Sequence, residues 1–103
     1  MKWYKFLIIL TISFLSSKNI FRQELENQLI SSKIKTSNLI YRDFLDQVEF
    51  NIDNCHVIFS TNKNPQKQIS TLQELQKLAK IKQSTFSLID LSVDHTYATL
   101  KNN

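Results

Sequence analysis

The sequence predicts an α+β chain: an N-terminal membrane-anchor helix, then a small domain with a β-hairpin, a helix and two further strands in a mostly antiparallel sheet. Three observations carry the prediction. An uncharged apolar run, Phe6 to Ser17, is set between Lys2, Lys5 and Lys18, Arg22. Val48 to Ser60 alternates apolar and polar residues about a two-residue turn. A helical stripe ending near Ala79 is then followed by two short strand-forming runs, and strand, strand, helix, strand, strand is an α+β order. At 103 residues there is room for one small domain with a correspondingly marginal core. The chain divides into an anchor at 1–22, a helical connector at 23–47 and the α+β domain at 48–103.

The N-terminal segment has three readings. Twelve uncharged residues are short for a spanning helix and suit the hydrophobic region of a signal peptide. Against cleavage, Phe14-Leu15-Ser16-Ser17-Lys18 lacks the spaced pair of small residues that signal peptidase needs. If Lys5 and Lys18 extend their stems to the headgroups, Trp3 to Phe21 gives 19 residues, roughly 28 Å at about 1.5 Å per residue, close to a hydrocarbon core. The reading adopted is an uncleaved anchor made by Trp3, Tyr4, Lys5, Phe6, Leu7, Ile8, Ile9, Leu10, Ile12, Phe14, Leu15 and Lys18, with Trp3 and Tyr4 in the interfacial aromatic belt. A cleaved signal and a buried helix are the alternatives. The α-amine, Lys2 and Lys5 favour an N-terminus inside, and Lys18 and Arg22 oppose it.

Charge supports a lipid-facing role. Lys2, Lys5, Lys18 and Arg22 account for the whole net charge of +4, and from residue 23 onward nine basic residues balance nine acidic ones. No basic stripe interleaved with aromatics follows, which argues against nucleic acid as a partner. The chain has no glycine, whereas phosphate-cradling loops, dinucleotide fingerprints and nucleophile elbows need it. With 12 Ile, 11 Lys and 9 Asn against two Ala and two Arg, the usage points to an AT-rich genome such as a plastid or a reduced bacterium. Cys55 is the single cysteine, so packing alone must hold the fold.

Along the connector, Phe21, Leu25 and Leu29 recur every four residues and predict a helix. Ile40, Tyr41, Phe44, Leu45 and Val48 predict a second one, capped from Ser31-Ser32 or Thr36-Ser37. In the hairpin, a turn at Asp53-Asn54 places Ile52 opposite Cys55, Phe50 opposite Val57 and Val48 opposite Phe59, so one face is wholly apolar. Both turn residues are expected at positive φ. Asn64 and Pro65 are a cap and first residue for a helix with Ile69, Leu72, Leu75, Leu78 and Ala79 on one face, and Thr71 to Glu74 offers a later capping box. Phe86 to Ser92 reads as a strand covered on both faces, and Thr96 to Lys101 as a last strand.

Candidate chemistry is sparse. Cys55 and His56 are adjacent on a strand and point to opposite faces, a small core residue beside a solvent-side one. Asp90, Ser92, Asp94 and His95 have the residue types of a hydrolase triad, yet they lie within six residues on one strand and its turn. Two His and one Cys have no metal-ligand spacing. The expectation is therefore no catalytic, metal or cofactor site.

Two stretches resemble a known family. Asn27-Gln28-Leu29-Ile30-Ser31-Ser32-Lys33-Ile34 is similar to the "GNxLLSxxxI" start of the POTRA module in the cyanobacterial form of the cell-division protein FtsQ/DivIB, with Glu26 where that pattern has Gly. Gln68-x-x-x-Leu72-x-x-Leu75-x-x-Leu78, then Phe86-Ser87-Leu88-Ile89-Asp90-Leu91-Ser92 and Tyr97-Ala98-Thr99-Leu100, resemble the family's last helix, its "xYIDL" strand and its closing strand. The resemblance spans about half the chain, in degenerate apolar patterns, with the middle of a full-length member missing. It makes 23–47 a POTRA-like remnant.

The resemblance implies a single-pass protein of a plastid membrane or bacterial inner membrane, a non-enzymatic scaffold with no cofactor. Its protein partners would be division proteins like FtsB and FtsL, paired by β-augmentation along Thr96, Tyr97, Ala98, Thr99 and Leu100. The rivals are an accessory subunit of a plastid or bacterial membrane complex and a secreted or lumenal small soluble domain with a cleaved signal.

Overall fold

The computed structural model describes residues 19–101. Of the expected anchor at 1–22, residues 1–18 lie outside them, whereas 19–22 open the first helix of the domain with Phe21 buried in its core rather than in a span, and no helix among the described residues is long and apolar enough to cross a membrane. The elements are α1 (19–31), β1 (Ser37–Arg42), a 3-10 turn (Asp43–Leu45), β2 (Gln47–Ile52), β3 (Cys55–Ser60), α2 (Pro65–Ile81), β4 (Phe86–Asp90) and β5 (Tyr97–Leu100). The five strands form one sheet in the order β1-β2-β3-β4-β5. β3 and β4 are parallel and the other neighbours antiparallel, so the domain is α+β with a mixed sheet. The parallel step follows from α2, which carries the chain back to the end of the sheet where β3 began.

The hairpin register follows the alternation: Ile52 pairs with Cys55, Phe50 with Val57 and Val48 with Phe59. Only Asp53 of the two turn residues takes positive φ, 52°. Val48, Phe50, Val57, Phe59 and Ile89 are buried on one face, with the Phe50 and Phe59 rings edge to face at 5.1 Å. Phe21, Leu25 and Leu29 of α1 and Ile69 and Leu72 of α2 join them in one core. Both helices therefore cover the same side of the sheet.

Five expectations are corrected. Within the connector 23–47 the helix ends at residue 31, and Ser37–Arg42 is strand. The same side chains satisfy a strand because Tyr41 and Leu39 turn to the core while Ile40 turns away; pairing with β2 decides between the two periods. Phe44 and Leu45, expected on a helix face, stand exposed in the 3-10 turn. β4 is not covered by helices on both faces, since Leu88 lies on the side away from them and is half-buried. In α2 the buried line runs Ile69, Leu72 and Ala79, with half-buried Gln76 between, and leaves Leu78 exposed. Thr71 caps nothing: it sits inside the helix with its hydroxyl donating to Lys67 O, while Asn64 Oδ1 accepts from Lys67 N as the cap.

A chain without glycine must place other residues in left-handed backbone, and Lys33, Asn38, Asp46, Asp53 and Gln83 all have φ between 52° and 57°. Lys33 and Gln83 end the two helices. Ile34 N donates to Leu29 O and Lys33 N to Ile30 O, and after α2 Ser84 N donates to Ala79 O and Gln83 N to Lys80 O, the paired bonds of a Schellman ending.

Candidate functional site

The last strand is where the fold brings the expected partner-binding residues to a sheet boundary. β5 pairs on one side with β4, through Phe86–Leu100, Leu88–Thr99, Ile89–Ala98 and Asp90–Tyr97. Its other side pairs with no strand among the described residues. Tyr97, Ala98, Thr99 and Leu100 form the strand, and Thr96 lies just before it. Tyr97 is 57% and Leu100 48% exposed, while Ala98 packs partly against the core. The strand is short, at four residues, but has no charge and no proline, two of the devices that blunt an edge against pairing. An irregularity falls between Phe86 and Leu88 opposite the single step from Leu100 to Thr99, so the extra residue belongs to β4 and β5 itself stays regular. Such a strand offers a row of backbone donors and acceptors to an extended segment.

The sheet face turned away from the helices is a second surface. The register aligns Ile40, Glu49, Ile58, Asp90 and Tyr97 in one row across all five strands. Glu49 anchors a polar cluster there: Arg42 Nε is 3.1 Å and His56 Nε2 3.8 Å from Glu49 Oε2, and His56 Nδ1 lies 2.8 Å from Asn51 Oδ1. His56 is thus on the open face and Cys55 on the core side, as strand alternation requires. The cluster is internally satisfied and holds the open side of β1, β2 and β3 in register.

Between the second half of α2 and the sheet is a cavity of about 390 Å³ whose apolar wall includes Ile52, Cys55, Val57 and Phe86. Ala79 and Gln76 leave it because neither fills the space that Ile69 and Leu72 fill nearer the helix start. Burial pushes the Cys55 thiol up, which disfavours the thiolate and makes Cys55 a poor nucleophile.

Asp90, Ser92, Asp94 and His95 do not assemble a triad. Asp90 Oδ1 accepts from both Ser92 N (2.9 Å) and Ser92 Oγ (2.5 Å), and Gln47 Nε2 donates to Ser92 Oγ at 3.2 Å, so these groups brace the turn after β4. His95 is exposed in the bend beyond. Among the described residues no group of three His, Cys, Asp or Glu side chains is placed to hold a metal ion.

One polar residue that sequence reasoning named only as the start of a helix pattern is central to the architecture. Gln68, buried on the inner side of α2, accepts from Ser60 N at 2.8 Å and donates to Ser60 O at 2.9 Å, pairing the end of β3 as another strand would. Its signal in the sequence is a polar residue beside Ile69 on the inward stripe. Lys63 adds a second brace, donating to Leu91 O (3.2 Å) and Val93 O (2.7 Å) before β5. Comparison with protein-family models, curated proteins and solved structures gives no match.

Proposed function

We propose that this chain is a membrane-anchored, non-enzymatic scaffold resembling the division protein FtsQ, which binds the strand of a protein partner along β5. The observation that carries the reading is the regular, uncharged outer side of β5 with Tyr97 and Leu100 exposed. The helix, strand and closing strand implied by the resemblance fall at α2, β4 and β5, which supports it. The apolar run at the N-terminus would hold the domain at a plastid membrane or bacterial inner membrane, where partners like FtsB and FtsL reside. No cofactor, metal or nucleic acid enters this reading. The test is photo-crosslinking in native membranes from a probe at Tyr97, with Ile40 of β1 as the control. A discrete protein adduct at 97 and none at 40 is expected; an intact, membrane-bound chain with no adduct at 97 overturns the reading.

A second reading, an accessory subunit of a membrane complex, draws on the open sheet face, where Ile40, Ile58 and Tyr97 share one cross-strand row. Adducts from a probe at Ile58 rather than Tyr97 would favour it.

A further inference from the structure

Three large apolar side chains stand exposed at the end of the domain that follows the apolar run in the chain. Phe44 is 83% exposed, Leu45 51% and Ile20 57%. Phe44 and Leu45 occupy the 3-10 turn between β1 and β2, and Ile20 lies at the start of the described part of α1. A two-pronged ion pair joins these places: Arg22 Nη2 donates to Asp43 Oδ1 at 2.9 Å and Oδ2 at 2.8 Å. The Arg22 guanidinium also stacks over the Tyr41 ring, 4.3 Å from its centroid. The turn is thereby fixed against α1, and it closes on itself through Asp46 N donating to Asp43 O.

We propose that the Phe44-Leu45 turn docks into the lipid surface beside the N-terminal segment. This rests on the anchored reading above. Only three residues separate Ser17, where the uncharged run ends, from Phe21, which is already buried in the core, so the domain must sit close to that run. Arg22 neutralises Asp43 locally, which lowers the cost of bringing the turn to an interface. Phe and Leu exposed on a fixed turn are the groups that enter the headgroup and acyl boundary. The opposite end of the sheet carries Lys33, Lys35, Lys82 and Lys101 together with the exposed Ile30 and Ile81, and what selects the Phe44-Leu45 end for the lipid surface is its closeness in the chain to the apolar run. β5 starts at the docked end, so Tyr97 would meet a partner close to the bilayer.

The test uses the full chain in phosphatidylcholine vesicles, with Cys55→Ser and a single environment-sensitive nitrobenzoxadiazole label at Leu45→Cys or at Asn54→Cys. Quenching by lipids carrying a doxyl group just below the headgroup is expected to be at least about threefold stronger at 45 than at 54, at the depth an interfacial apolar group reaches. Because apolar insertion drives it, the ratio should persist in high salt and fall toward unity in Phe44→Ser. If the chain floats with the vesicles but quenching at 45 does not exceed that at 54, docking is overturned and the anchor stands. A chain that does not float with the vesicles overturns both.

Discussion

β1 and β5 close the two sides of one sheet and are fastened by different means. β1 carries its own bulge, because three steps from Ser37 to Ile40 oppose two from Asn51 to Glu49, and Asn38 sits there at φ 55°. Side chains pin the rest of it: Arg42 to Glu49, the Tyr41 ring under Arg22, and Asp43 to Arg22 just beyond. β5 has none of this. It is held by backbone pairing to β4, by Lys101 N donating to Thr85 O and by Ser87 Oγ donating to Thr99 O. A bulged, charged and braced edge discourages a new strand, whereas a regular uncharged one admits it. On the proposed reading, one side does structural work and the other is open to recognition.

The joint between the two sides should be the most sensitive point. Gln68→Leu strips the partner from Ser60 N and leaves Ser60 O only the 3.5 Å bond from Lys63 N, and at about 1–3 kcal/mol for a buried group left unpaired the loss should be roughly 1–3 kcal/mol in denaturant titration. A loss near zero would mean that β3 and α2 are joined by apolar packing alone.

Next in size is a pair of substitutions that sets one edge against the other. Arg22→Ala removes a partly exposed ion pair and a cation–π contact, for a loss of about 1 kcal/mol, while Tyr97→Ser should cost less than about 0.5 kcal/mol because its side chain is largely in solvent. The reverse order would erase the distinction between a braced edge and an open one.

The helix endings give a gain of similar size. Gln83→Gly should stabilise by about 0.5–1 kcal/mol, since Gly enters left-handed backbone without the steric cost that Gln bears at φ 54°. Its effect lies beside β4, so Lys33→Gly, at φ 57° before β1, is the matched measurement on the other side.

The last effect is alkaline. The Tyr41 phenol is pushed up from 10.0 to about 12, first by burial and then by Glu26. The neutral form is favoured in the fold, so its contribution is complete below about pH 10 and is lost as pH rises through about 12. Wild type should therefore lose stability over that window relative to Tyr41→Phe, and parallel pH curves would show that Tyr41 is not held neutral by the β1 side.

The sequence disclosed what depends on local pattern. Hairpin register, the Asn64-Pro65 helix start and the strand at Tyr97 to Leu100 are all set by neighbours within a few residues. β1 was hidden because its apolar residues, Leu39, Ile40 and Tyr41, stand consecutively and satisfy helical and strand periods alike, and only pairing with β2 chooses. Arg22–Asp43 and Gln68–Ser60 join residues 21 and eight positions apart, so no local pattern announces them. At the candidate edge, the residues were legible; that β1 and β5 differ in bracing was not.

Strand addition at β5 makes its backbone the central claim, and amide hydrogen exchange reads that backbone directly. Exchange should be pulse-labelled in native membranes and again after purification of the full chain in detergent, with partners removed. The amides of Tyr97 to Leu100 should be protected in membranes and lose that protection on purification, while those of β1 exchange alike in both states. Equal exchange at β5 in the two states, with the chain folded in each, would contradict a partner strand there.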